Sequence, residues 1–109
     1  MAIAKVHVKT GDSVIVQIDR TVHVYIYGQV KIPGALSVLQ SRIPTLTQAI
    51  AQAGGFTERA AKRRVTVTRK DENGREKTFE INVVRIQNNR LEDFPLEEGD
   101  TVYVPDTIF

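Results

Sequence analysis

The sequence predicts an α+β fold with one main helix packed on a small mixed sheet. Two observations carry that prediction. Several short runs alternate strand-forming residues with polar ones and are punctuated by glycine, proline and asparagine. One longer stretch, "TLTQAIAQAGG", instead spaces its apolar residues as a helix does.

The first strands are "SVIVQI" (13–18) and "VHVYIYGQV" (22–30). The second places Val22, Val24 and Ile26 on one face and His23, Tyr25 and Tyr27 on the other. Gly28 marks a bulge or a close backbone approach, and Pro33-Gly34 supplies a turn into the short strand "ALSVL" (35–39). The helix begins at Thr45, a good N-cap, and Gln48 three residues on completes a capping box. Leu46, Ala49, Ile50 and Ala53 form its apolar stripe, Gly54-Gly55 ends it, and Phe56 folds back onto the stripe. Thr57 and Glu58 start a second helical segment of at most two turns through Ala60 and Ala61, with Lys62-Arg63-Arg64 at its C-terminal end where the helix dipole favours cations.

"RVTVTRKDENGREKTFEINV" (64–83) reads as a hairpin closed by a tight primed turn at Asn73-Gly74. Val65 and Val67 on one arm, with Phe79, Ile81 and Val83 on the other, line one face. "VVRIQNN" (83–89) is ambiguous, a short helical turn being one reading, and "RLEDFPLEEGD" (90–100) is an acidic loop carrying Leu91, Phe94 and Leu96 inward. A last strand, "TVYVP", follows. The predicted core is Val24, Ile26, Leu46, Ile50, Val65, Val67, Phe79, Ile81 and Val102. Hairpin, helix, hairpin, loop and strand in this order outline a β-grasp.

The 109 residues suit one domain with a modest core, and 41 % hydrophobic with 26 % charged residues is an ordinary globular balance. No apolar run approaches the roughly 20 residues of a membrane helix, and the opening "MAIAKVHVKTGD" has no signal-peptide stretch. The absence of cysteine excludes disulfides, thiolate nucleophiles, Cys-ligated zinc and a lipidated cysteine within this stretch. His7 and His23 have no neighbouring carboxylates at metal-ligand spacing, and no Ser, His and Asp converge by any motif, so neither metal, cofactor nor catalytic residues are expected. Asp12 and Asp100 follow turn glycines and read as turn or capping residues. A net charge of +2 and a pI near 9.1 give a mild positive bias.

"GDSVIV" (11–16) and "GDTVYV" (99–104) echo one another. Either any Gly-Asp turn before a strand looks so, or each segment closes a module, which makes residues 1–21 an N-terminal strand from the tail of a preceding module and 22–109 the β-grasp domain.

With "VYIYGQVKIPGAL", "TLTQAIAQAGGFTERA", "RRVTVTRK" and "FPLEEGDTVYVP" in this order, the chain resembles a soluble-ligand-binding β-grasp (SLBB) domain of the Wza-type outer-membrane polysaccharide export proteins. The resemblance covers roughly residues 22–105 and implies a non-enzymatic, periplasmic module of a ring-forming translocon for capsule or exopolysaccharide. It implies as partners other copies or domains of the ring and no nucleic acid, and a membrane association made only through the parent complex. The export-signature domain and the C-terminal membrane-crossing helix of such proteins are not in this sequence.

Two groups of residues are candidates for a ligand or an interface. Tyr25 and Tyr27, with Gln29 and Lys31, suit a sugar-stacking platform or a subunit contact. Arg59, Lys62, Arg63 and Arg64 suit an acidic polysaccharide, a phosphate or the acidic 92–100 loop of a neighbouring copy, or are simply a solvated helix end. The alternative function, a small nucleic-acid-binding module, would use the same tyrosines for stacking beside the arginines.

Overall fold

The computed structural model describes residues 19–108. The strand at 13–18, the "GDSVIV" echo, Asp12 and His7 lie outside the described residues. Among the described residues five strands, β1 (Thr21–Gly28), β2 (Gly34–Leu39), β3 (Val65–Lys70), β4 (Glu76–Ile81) and β5 (Thr101–Val104), form one sheet in the order β2-β1-β5-β3-β4. β1 and β5 run parallel at its centre and the other neighbours are antiparallel, so the sheet is mixed. The main helix is α1 (Leu46–Gln52), and a short second helix, α2 (Val83–Gln87), follows β4.

Alternation along each strand decides which face is dry. Val22, Val24 and Ile26 of β1, Val65 and Val67 of β3, Ile81 of β4 and Val102 and Val104 of β5 are all buried. Leu46, Ala49, Ile50 and Ala53 of the helical stripe join them, with Phe56 and Phe79 packed partly buried at the margin. Gln48 returns its side-chain oxygen to the Thr45 amide at 3.0 Å, so the predicted capping box sets the start of α1. Gly28 is the close approach that the sequence suggested. It pairs with Val104 at a φ of +92°, and a Cβ there would overlap the Val104 carbonyl oxygen.

Four expectations are corrected. Residues 57–64 form turns, not a helix. A helix over these residues would commit the Arg59 carbonyl to the Arg63 amide, but Thr107 donates to it instead (2.8 Å), while Val83 ties down the end of the segment by donating to the Lys62 carbonyl (2.9 Å). The segment is laid against the chain's last residues, with Ala61 donating to the Pro105 carbonyl at 2.8 Å and Ala60 bridging Asp106. The β3–β4 connection is not a two-residue primed turn. The Gly74 amide donates to the Asp71 carbonyl and the Asp71 amide to the Arg75 carbonyl, which encloses a three-residue loop with Gly74 alone at positive φ. The Asp71 carboxylate selects this form by accepting from the Asn73 and Arg75 amides, each at 2.9 Å. Leu91 is 43 % exposed, whereas Phe94 and Leu96 turn inward as expected. Val83 reaches the core from the first turn of α2 and not from a strand arm.

Candidate functional site

The face of the sheet opposite the core carries the aromatic candidates. Because Val24 and Ile26 point in, Tyr25 and Tyr27 point out, and His23 stacks against Tyr25 with ring centroids 6.5 Å apart. Parallel pairing then sets Tyr27 directly beside Tyr103 of β5, and Tyr25 beside Thr101. Tyr27 is 44 % and Tyr103 49 % exposed. Thr66 and Thr68 of β3 continue the same rows beyond Tyr103 and Thr101. The result is an exposed patch of phenol rings bordered by hydroxyls, able to offer ring faces to C–H groups and O–H groups to polar ones. The sequence reading missed Tyr103. Its signal was available: Val102 and Val104 inward force the residue between them outward.

Gln29 and Lys31 do not complete this patch. Past Gly28 the chain leaves the sheet, and the Gln29 side-chain oxygen accepts from the Thr57 hydroxyl at 2.7 Å. Lys31 is exposed, with its amide donating to the Gly55 carbonyl at 3.1 Å, at the end of α1.

The basic residues stay together on the 57–64 segment but differ in their attachments. Arg59 pairs with Asp106 at 2.9 Å, and the Lys62 ammonium lies 5.5 Å from the centre of the Phe56 ring. Lys62, Arg63 and Arg64, with Val84 and Thr107, line an open groove of about 350 Å³. The acidic loop is largely engaged within the chain. Glu97 and Asp100 bind Arg69, Glu98 lies 3.6 Å from Arg20, and Asp93 serves the start of α1.

Asp93 accepts from the hydroxyls of Thr45 and Thr47 and from the amides of Thr47 and Phe94. Burial alone would raise its pKa, but the bonds from Thr47, Thr45 and Phe94 outweigh that and hold the carboxyl below its usual range. A second, more polar groove of about 600 Å³ runs between Thr47, α2 and residues 89–93. Its rim includes Asn89, which closes α2 at a φ of +58° while its amide and that of Arg90 cap the Ile86 and Arg85 carbonyls.

Arg69 organises the loop before β5. It lies on the inward parity of β3, two residues after Val67, over the adjoining rings of Phe79 and Phe94, each 5.3 Å away. Its Nε and Nη2 donate to the two oxygens of Asp100 at 3.0 and 2.8 Å, and the Asp100 side chain is fully buried. That hydrogen bond keeps the guanidinium above its usual pKa. Asp100 also accepts from the Glu97 amide at 2.8 Å, so it is a turn residue, as read from sequence, and a buried ion-pair partner as well. A charged residue on a core-facing parity demands such a partner, and that was the legible signal.

Among the described residues, no three His, Asp or Glu side chains gather as metal ligands. No helix among them is long and apolar enough to cross a membrane. A β-grasp sheet that leaves an aromatic and hydroxyl face exposed, in a chain that also carries a basic groove, defines a small binding module. The chain matches the SLBB domain over residues 22–104 and belongs to that family of soluble-ligand-binding modules. None of the curated proteins compared with the chain matches it.

Proposed function

We propose that this chain is a non-enzymatic module of a polysaccharide export complex, held in the periplasm and associated with the outer membrane through that complex. Residues 22–109 would be the binding domain, and 1–21 the tail of a preceding module. Its work is association with neighbouring copies or domains of the export ring and contact with the passing chain. The observation that carries this reading is the outward row of Tyr25, Tyr27 and Tyr103 on an SLBB sheet, bordered by threonines. Phenol rings flanked by hydroxyls match a pyranose, which has an apolar C–H face and a polar rim. The groove at Lys62, Arg63 and Arg64 suits the carboxylates of an acidic glycan, since most acidic side chains of the 92–100 loop already have partners within the chain.

The test is a titration of the isotopically labelled chain with an acidic capsule-type oligosaccharide, a neutral one and single-stranded DNA, following backbone amides. Saturable shifts at 25–27 and 101–103 with both sugars, and at 59–64 with the acidic one, are the expected result. No shift with either sugar would refute glycan contact. Binding of DNA alone, weakening steeply with salt, would establish the nucleic-acid reading instead.

A further inference from the structure

The two edges of the sheet are unequally protected. β4, at one edge, carries Glu76, Lys77 and Glu80, and residues 91–95 lie beside its Phe79–Ile81 end. These are the usual means by which an edge strand is kept from pairing with another chain. Among the described residues, β2 at the other edge has none of them. Its six residues, Gly34–Leu39, contain no charge and no proline, and no described strand pairs with its outer side. Its outward side chains Ala35, Ser37 and Leu39 are exposed, while Leu36 and Val38 on the core side are only partly buried.

We propose that the outer edge of β2 pairs antiparallel with β2 of a second copy of this chain, joining two five-stranded sheets into one. The sequence of β2 is self-complementary for this arrangement. Residues directly opposite in an antiparallel pair share a face, so a two-fold axis through Ser37 sets Leu36 against Val38 of the second copy on the core side. It sets Ala35 against Leu39 on the outer side. Every such pair is apolar except the central Ser37–Ser37 contact, so identical strands meet without like-charge repulsion. The same register covers Leu39, 38 % exposed, at both ends of the contact. Ile32, 68 % exposed just before β2, is carried towards the turn at Gln40–Arg42 of the second copy. Because the axis stands perpendicular to the sheet, the two tyrosine patches fall on the same side of the joined sheet. The pairing is isologous and closes at two, so it is a contact additional to those that would build a ring and does not rest on that reading.

The test is sedimentation equilibrium of the full chain from micromolar to millimolar concentration. Wild type is expected to form a monomer–dimer equilibrium. Ser37→Lys, which sets two ammonium groups across the axis at an exposed site, is expected to weaken it at least tenfold, as is Ser37→Glu. An equimolar mixture of the two variants should recover a heterodimer. Thr78→Lys on the β4 edge should leave the equilibrium unchanged. A monomer throughout, no recovery in the mixture, or equal effects at Ser37 and Thr78 would overturn the proposal. If a Ser37 variant fails to fold, hydrogen exchange of wild type decides the matter: β2 amide protection must rise with protein concentration, and concentration-independent protection refutes the pairing.

Discussion

Replacing Arg69 by methionine probes the interior of the loop that precedes β5. The substitution retains an apolar stem against Phe79 and Phe94 but removes the guanidinium that donates to both oxygens of Asp100. Asp100 is then a fully buried carboxylate with the Glu97 amide as its remaining partner among these bonds. Breaking a buried pair from one side costs about 3–5 kcal/mol, because the other charge stays behind uncompensated. The exposed contact to Glu97 adds little, as an ion pair in water contributes about 0–1 kcal/mol. Each ring contact adds about 0.5–1 kcal/mol. Against a total stability of about 5–15 kcal/mol for a small domain, the variant should be close to unfolding. Urea denaturation followed by circular dichroism measures the loss. The double variant Arg69→Met with Asp100→Leu removes both charges and should recover much of it. A loss under about 1 kcal/mol for Arg69→Met alone, the value of an exposed pair, would refute the claim that Arg69 compensates a buried charge.

Gly28→Ala should prevent stable folding, since the new methyl meets the Val104 backbone at a φ of +92°. Gly74→Ala, with open space around it, should cost only about 1–2 kcal/mol of left-handed backbone strain. Thermal melts of the two variants compare them directly. Ile50→Ala should lose about 2–5 kcal/mol of unfolding free energy, because the side chain is 3 % exposed in the centre of the α1 stripe. Asp93 supplies a pH dependence with a defined sign. Its folded pKa lies below the ordinary 3.8, so its contribution is complete above that value and disappears as pH falls through the folded pKa. Asp93→Asn should therefore be less stable than wild type at neutral pH and lose less stability on acidification. Denaturant midpoints measured between pH 6 and pH 2 (roughly the span in which carboxylates titrate) should converge at the acid end, and parallel curves would contradict the assignment.

Much of the fold was legible because local rules and the global packing agree. Alternation assigned the buried valines of β1, β3 and β5. The Thr45–Gln48 box and the Gly54-Gly55 stop bounded α1 to within a residue. The candidate site was only half legible. Parity put Tyr25 and Tyr27 on the open face, but Tyr103 joins them through the parallel pairing of β1 with β5, more than seventy residues apart in sequence. The 57–64 segment misled for a similar reason. A cap residue, two alanines and a basic end are good local helix signals, yet the Arg59 carbonyl that would sustain a helix is taken by Thr107 from elsewhere in the chain.

By itself, the sequence determined the class of fold, the faces of its strands, the limits of its helix and its family, since these follow from residue order and short-range chemistry. The tertiary structure alone decided which tyrosines share a surface, that Gln29 serves Thr57 and not the patch, and that Arg69 and Asp100 form a buried pair. It also decided which strands form the two edges of the described sheet. Each of these depends on partners distant in the chain, and the strand order that brings them together is a property of the packed sheet as a whole.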